Sequence, residues 1–220
     1  MRPWTCLASS LLIFALSTLS AAQSGKVEAL GRLPESSVPA AMRAAIDARG
    51  YRVLLDDNTV AAELWLRKDL PASPKTQAAD VIYDRLAVSN LVGVIRFPQA
   101  STDYRGQAVP AGFYTLRYAL MPNDGNHLGV APSRDFLLLI PSAADPGPDK
   151  SLTFQELVAL SRETSHTKHP APLNLTSPEG GSAPAVSKDD QEHYIFSAGM
   201  RLASGEDMPI AIVVKGTAPQ

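Results

Sequence analysis

Apolar and polar positions change period several times along the chain, and each change predicts an element. Over residues 36–49, Met42 and Ile46 lie four apart beside Ala41 and Ala45, the narrow apolar face of a short helix. Ser36 or Ser37 suits its cap, Pro39 its first turn and Gly50 a left-handed stop. From Gly50 the period becomes two. Tyr51, Val53 and Leu55, then Val60, Ala62, Leu64 and Leu66, alternate with the residues between them and flank Asp57-Asn58, which predicts a hairpin. The pattern over residues 78–87 is mixed and fits a short helix or a strand equally.

Residues 91–97 read as a largely buried strand ended by Pro98, and residues 101–109 as a polar turn around Arg105-Gly106. The β-branched and aromatic run at 113–120 is the clearest strand, and the continuously apolar run at 136–140 reads as a central one. Thr153 followed by Glu156 matches a capping box and opens a second helix to about residue 163. Two last strands fall at 193–202 and 209–214. Strands joined by short turns, without alternating helices, predict a mainly β fold. The expected form is an antiparallel, Greek-key-like β-sandwich of about seven or eight strands with two short peripheral helices.

Pro110-Ala111-Gly112-Phe113-Tyr114 resembles a tyrosine corner, in which the phenol returns to the backbone a few residues upstream. Because a buried phenol needs a partner, the pattern predicts a hydrogen bond from Tyr114 into that turn.

Residues 1–22 read as a signal peptide: Arg2, an apolar run of about 14 residues, then Ser20-Ala21-Ala22. Cys6 precedes most of that run, which argues against a lipidated anchor. The expected organisation is then a lead-in with the short helix at 23–49 and a sandwich domain at 50–220, with a helix and a long loop excursion at 141–190. Cleavage removes Cys6, the sequence's one cysteine, so the mature chain lacks disulfides and thiolate chemistry. The expected location is periplasmic or extracellular. Lys and Arg total 20 against 22 Asp and Glu, a net charge of −2 that supplies no basic footprint for nucleic acid. No later run approaches the length of a membrane helix, so no integral membrane segment is expected after cleavage.

Two constellations are candidates for chemistry. Asp124, Asn126 and His127 lie in the loop between the two most strongly β runs, with Arg134 and Asp135 opening the second. Loops at the end of a sandwich carry binding groups, and these side chains offer oxygen and nitrogen ligands for a cation, or a guanidinium for a carboxylate or sugar hydroxyl. The spacing departs from the calcium-loop pattern, and Asp124-Gly125 is also an ordinary turn dipeptide. The second constellation is His127, His166, His169 and His193, a possible set of divalent-metal ligands should the fold gather them. No cofactor is otherwise predicted. The nucleophile elbow, the phosphate loop and the dinucleotide fingerprint are all absent from the sequence. Asn174-Leu175-Thr176 fits a glycosylation acceptor in a eukaryotic secretory route.

Residues 109–118, 124–130 and 134–138 together resemble exported bacterial β-sandwich proteins of unassigned function. The resemblance implies export and the sandwich and transfers no catalytic residue. Since no catalytic constellation can be assembled, the leading expectation is a non-catalytic binding or interaction module. Its partner would be a protein or an envelope or carbohydrate component met through the loop end. The alternatives are a small metal-assisted hydrolase using His127 with the other histidines, and a structural or assembly subunit pairing through a sheet edge.

Overall fold

The computed structural model describes residues 25–75, 78, 80–123, 131, 133–179 and 183–218. In chain order the elements are β1 (Lys26–Leu30), α1 (Ala40–Ala45), β2 (Ile46–Leu54), β3 (Val60–Arg67), β4 (Leu91–Phe97), β5 (Ser101–Thr102) and β6 (Ala108–Val109). There follow β7 (Gly112–Leu120), β8 (Asp135–Pro141), α2 (Phe154–Ser165), β9 (Pro172–Asn174), β10 (Ala185–Lys188), β11 (Tyr194–Arg201) and β12 (Asp207–Lys215). The fold is mainly β. A seven-stranded antiparallel sheet has the order β1-β2-β3-β4-β7-β8-β9, and β10-β11-β12 form a second sheet of three. The short β5–β6 ribbon leaves the large sheet between β4 and β7.

Period two explains what lies between the sheets. Ala62, Leu64 and Leu66 of β3, Leu116 and Tyr118 of β7, and Leu137 and Leu139 of β8 join Phe196, Ile210 and Ile212 of the small sheet in one buried cluster. The alternate residues face outward and are covered too. Leu33, Val38 and Met42, from the segment carrying α1, bury Trp65 and Val94; Leu152 and Leu157 of the α2 segment bury Phe136, Leu138 and Ile140. From Phe136 to Ile140 strand β8 is therefore continuously apolar, because it is covered on both faces.

The small sheet meets both ends of the strand order of the large one. An antiparallel bridge between Leu175 and Ile212 joins the chain just after β9 to β12, and Gly25, just before β1, lies against Val186 of β10.

Several sequence expectations are corrected. The first helix is only Ala40–Ala45, and the chain from Ile46 is already β2. Gly50 is not a left-handed helix stop. It pairs with Trp65 across β2 and β3, and a Cβ there would collide with the indole, so glycine is required by the ring that covers it. The described residues of the 78–87 segment, 78 and 80–87, form neither helix nor strand. The excursion at 141–190 contains the short strands β9 and β10, and β1 also escaped notice. Runs of two to five residues are too short for a period to declare itself, which accounts for the twelve strands found among the described residues.

Other expectations hold. The hairpin turns at Asn58, whose φ is 64°, and the capping box is complete, with Thr153 and Glu156 satisfying each other's backbone N–H. The Tyr114 hydroxyl donates to the Pro110 carbonyl at 2.8 Å, as the corner pattern predicts.

Candidate functional site

The cavity that best suits a ligand opens beside β8, β9 and α2, with a volume of about 230 Å³. Its walls follow from three local patterns. Phe154 and Val158, one turn apart on α2, face it. Phe136, an outward residue of β8, stands in register with Asn174 of β9, and both line it. Met121, Pro122 and Ala131 come from the two ends of the connection between β7 and β8.

Hydroxyl groups fasten the helix over this site. Thr164 Oγ1 donates to the Leu139 carbonyl at 2.9 Å, and Ser161 Oγ accepts the Ala171 amide at 2.9 Å.

Three polar side chains line the cavity besides Tyr104: Asn174, Arg105 and His169. Asn174 is 3% exposed, and its Nδ2 has no hydrogen-bond partner among the described residues. A buried amide donor left in that state costs about 1–3 kcal/mol. Arg105 and His169 sit on segments sewn together by Gln107. The Gln107 amide donates to the Pro170 carbonyl at 2.8 Å and to Asp103 Oδ2 at 2.6 Å, and its oxygen accepts the Thr167 hydroxyl. Asp103 fixes the turn by accepting the Arg105 and Gln107 amides, and burial pushes its carboxyl above the usual range despite these bonds. The described lining residues include no carboxylate, serine, threonine or cysteine.

The last wall is a strap at Gly216–Ala218. His193 holds it, with Nε2 at 2.8 Å from the Thr217 carbonyl and Nδ1 at 2.8 Å from Asp189 Oδ2. A Cβ on Gly216, at φ +138°, would run into the imidazole, so a bare backbone is needed there. The Ala218 amide donates to the Tyr104 carbonyl at 2.7 Å and brings Ala218 to the cavity.

The other residues singled out from the sequence have different placements. Asp124, Asn126 and His127 lie outside the described residues, as do residues 1–22. Arg134 clips the two ends of its connection: Nε donates to the Met121 carbonyl at 2.7 Å and Nη1 is 3.5 Å from Asp80. Asp135 is fully buried, and its carboxylate accepts the Ile82 and Tyr83 amides and the Tyr118 hydroxyl. It anchors the irregular chain at Ile82 and Tyr83 to the sheet. His166 ends α2 in the left-handed conformation at φ 52°. His193 has both ring nitrogens engaged, and among the described residues no group of three or more His, Cys, Asp or Glu is placed to hold a metal ion. Asn174, proposed as a glycosylation acceptor, is a buried strand residue and is not accessible for that modification.

The sequence drew no attention to the Asn174 cavity. The Thr153–Glu156 box announces the helix that carries Phe154 and Val158, but only the register of β9 against β8 reveals that Asn174 stands beside Phe136. A wider groove of about 800 Å³ beside α1 carries charges of both signs, including Arg32, Glu35, Asp47 and Lys68, and its Arg43 is held by the Glu35 and Val38 carbonyls. No helix among the described residues is long and apolar enough to cross a membrane. No protein-family model, curated protein or solved structure matches the chain, so the functional reading rests on this geometry.

Proposed function

We propose that the protein is an exported, non-catalytic binding module that holds a small, mostly apolar ligand in the Phe136–Phe154–Asn174 cavity. The observation that carries this reading is the buried, unpartnered Asn174 amide beside apolar walls. Sites for small molecules combine such walls with a few fixed polar groups, and a ligand acceptor atom at Asn174 would satisfy a donor that the protein leaves unmet. The cavity is smaller than the roughly 300–1,000 Å³ of drug-sized sites, which favours a short chain or a single ring. The sandwich arrangement belongs to the same proposal. Two antiparallel sheets sharing one buried cluster support it, as does the Tyr114 corner.

Export is motivated by Arg2, the apolar run and Ser20-Ala21-Ala22. Intact-mass measurement of the exported protein is expected to show a chain starting at Gln23; a retained Met1 would overturn that part.

Ligand-observed NMR tests the cavity. Saturation transfer to 1-hexanol should be seen with the native protein and lost with Val158→Trp, which fills the space. Equal transfer in both proteins, or none in the native one, would count against the reading.

A further inference from the structure

Each polar group at the cavity offers a hydrogen-bond donor, and one of them, Arg105, narrows the ligand. Arg105 can only donate hydrogen bonds, and its exposed guanidinium has no hydrogen bond or ion pair among the described residues. Asn174 presents an unmet donor, and His169, also exposed, adds an imidazole whose ring makes no hydrogen bond among the described residues. The described lining residues include no carboxylate. The Asp103 carboxylate, which attracts Arg105 within the same turn, is buried behind the rim and taken up by the Arg105 and Gln107 amides and the Gln107 side chain. Arg105 and His169 share one rim because Gln107 ties the β5–β6 turn to the segment after α2, through the Pro170 carbonyl and the Thr167 hydroxyl.

We infer that the ligand is a small monocarboxylate with an apolar body, its carboxylate taken at the rim by Arg105 and its body lying against Phe154, Val158 and Phe136. This rests on the cavity being a binding site, as proposed above. A planar guanidinium matches a carboxylate with two parallel hydrogen bonds, and such charge-assisted bonds are stronger than neutral ones. A neutral apolar ligand would gain the walls and Asn174 but leave Arg105 unused. A cationic one would meet Arg105 with the same sign.

Isothermal titration calorimetry with octanoate, 1-octanol and octylamine separates the possibilities. Octanoate should bind the native protein at least about tenfold more tightly than 1-octanol, a preference that shrinks as salt is raised, and octylamine more weakly than either. Arg105→Gln should bring octanoate down to the affinity of 1-octanol. Because Arg105 is exposed, thermal unfolding of the variant should match the native protein and show that the fold is intact. If octanoate and 1-octanol bind equally, the carboxylate preference is wrong while the cavity reading survives. If none of the three binds, both fail.

Discussion

Asp135 accepts a hydrogen bond from the Tyr118 hydroxyl at 2.6 Å, inside the core that the two sheets share. The same carboxylate takes the Ile82 and Tyr83 amides at 2.8 and 3.0 Å, so one side chain ends three donors from two parts of the chain. Burial first, and then this bond to a carboxylate, push the Tyr118 phenol far above its ordinary range. Asp135→Ala leaves all three donors unpaired and is expected to cost about 3 kcal/mol or more in urea unfolding. Asp135→Asn, which keeps one acceptor oxygen, should cost less. A loss under about 1 kcal/mol for the alanine variant would mean that water replaces the carboxylate.

The Tyr114 corner can be tested by removing one atom. Tyr114→Phe leaves the Pro110 carbonyl without its phenol and should cost about 1–3 kcal/mol. A change of a few tenths in equilibrium unfolding would show that the ring only packs.

Arg117 and Asp145 form an ion pair at 2.6 Å with side chains 1% and 0% exposed. Arg117 also donates to the Ser89 and Lys150 carbonyls, and Asp145 accepts the Thr115 hydroxyl, so the 141–150 loop is fastened to the sheet. Asp145→Ala strands a buried guanidinium and should cost about 3–5 kcal/mol. Replacing both partners with apolar residues, as Arg117→Met with Asp145→Leu, should recover much of that loss. If the double variant is no more stable than Asp145→Ala, the hydrogen bonds around the pair matter more than the stranded charge.

Glu63 links three strands through Arg52 at 2.8 Å and Arg96 at 2.8 Å. Burial pushes its carboxyl up, but the hydrogen bonds from Arg96 and Arg52 outweigh this and hold it below the usual range. The unfolded chain therefore binds this proton at a higher pH than the folded one. The stabilisation from Glu63 is present above the ordinary glutamate range and is lost as pH falls through the lower folded value. Asp103, raised by burial, works in the opposite sense. Urea midpoints from pH 7 down to pH 3 should fall less steeply for Glu63→Gln than for the native protein. Parallel curves would remove Glu63 from the acid response.

The sequence exposes features with a repeat or a local rule. Residues 91–97 are apolar apart from Gly93 and Arg96 and match β4, and the Thr153–Glu156 box places the start of α2. Features set by a distant neighbour stay hidden. Gly50 reads as a helix stop until Trp65 is seen to lie over it, and Asp135 reads as a loop-end ligand until the amides of Ile82 and Tyr83 are seen to converge on it. His193 behaves in the same way, since its partner Thr217 is 24 residues away. Asn174 depends on pairing with Phe136, 38 positions earlier, which no periodicity encodes.

The seam between the two sheets implies an order of assembly. Within the large sheet the β2–β3 hairpin closes over residues 55–59 alone, and the other pairings close over connections of about 14 to 30 residues between strands that follow one another in the sheet order. The seam after β9 is different: the Leu175–Ile212 bridge is flanked by the Thr176 amide on the Ala211 carbonyl, and by the Tyr83 hydroxyl, which donates to Thr176 and accepts from Ala211. That junction joins three distant stretches, and the chain entropy lost in gathering them delays its formation until the hairpins are in place. Asn174 immediately precedes Leu175. A molecule held by Asn174 therefore grips the residue next to the last joint to form, and occupancy of the cavity favours the closed chain by mass action.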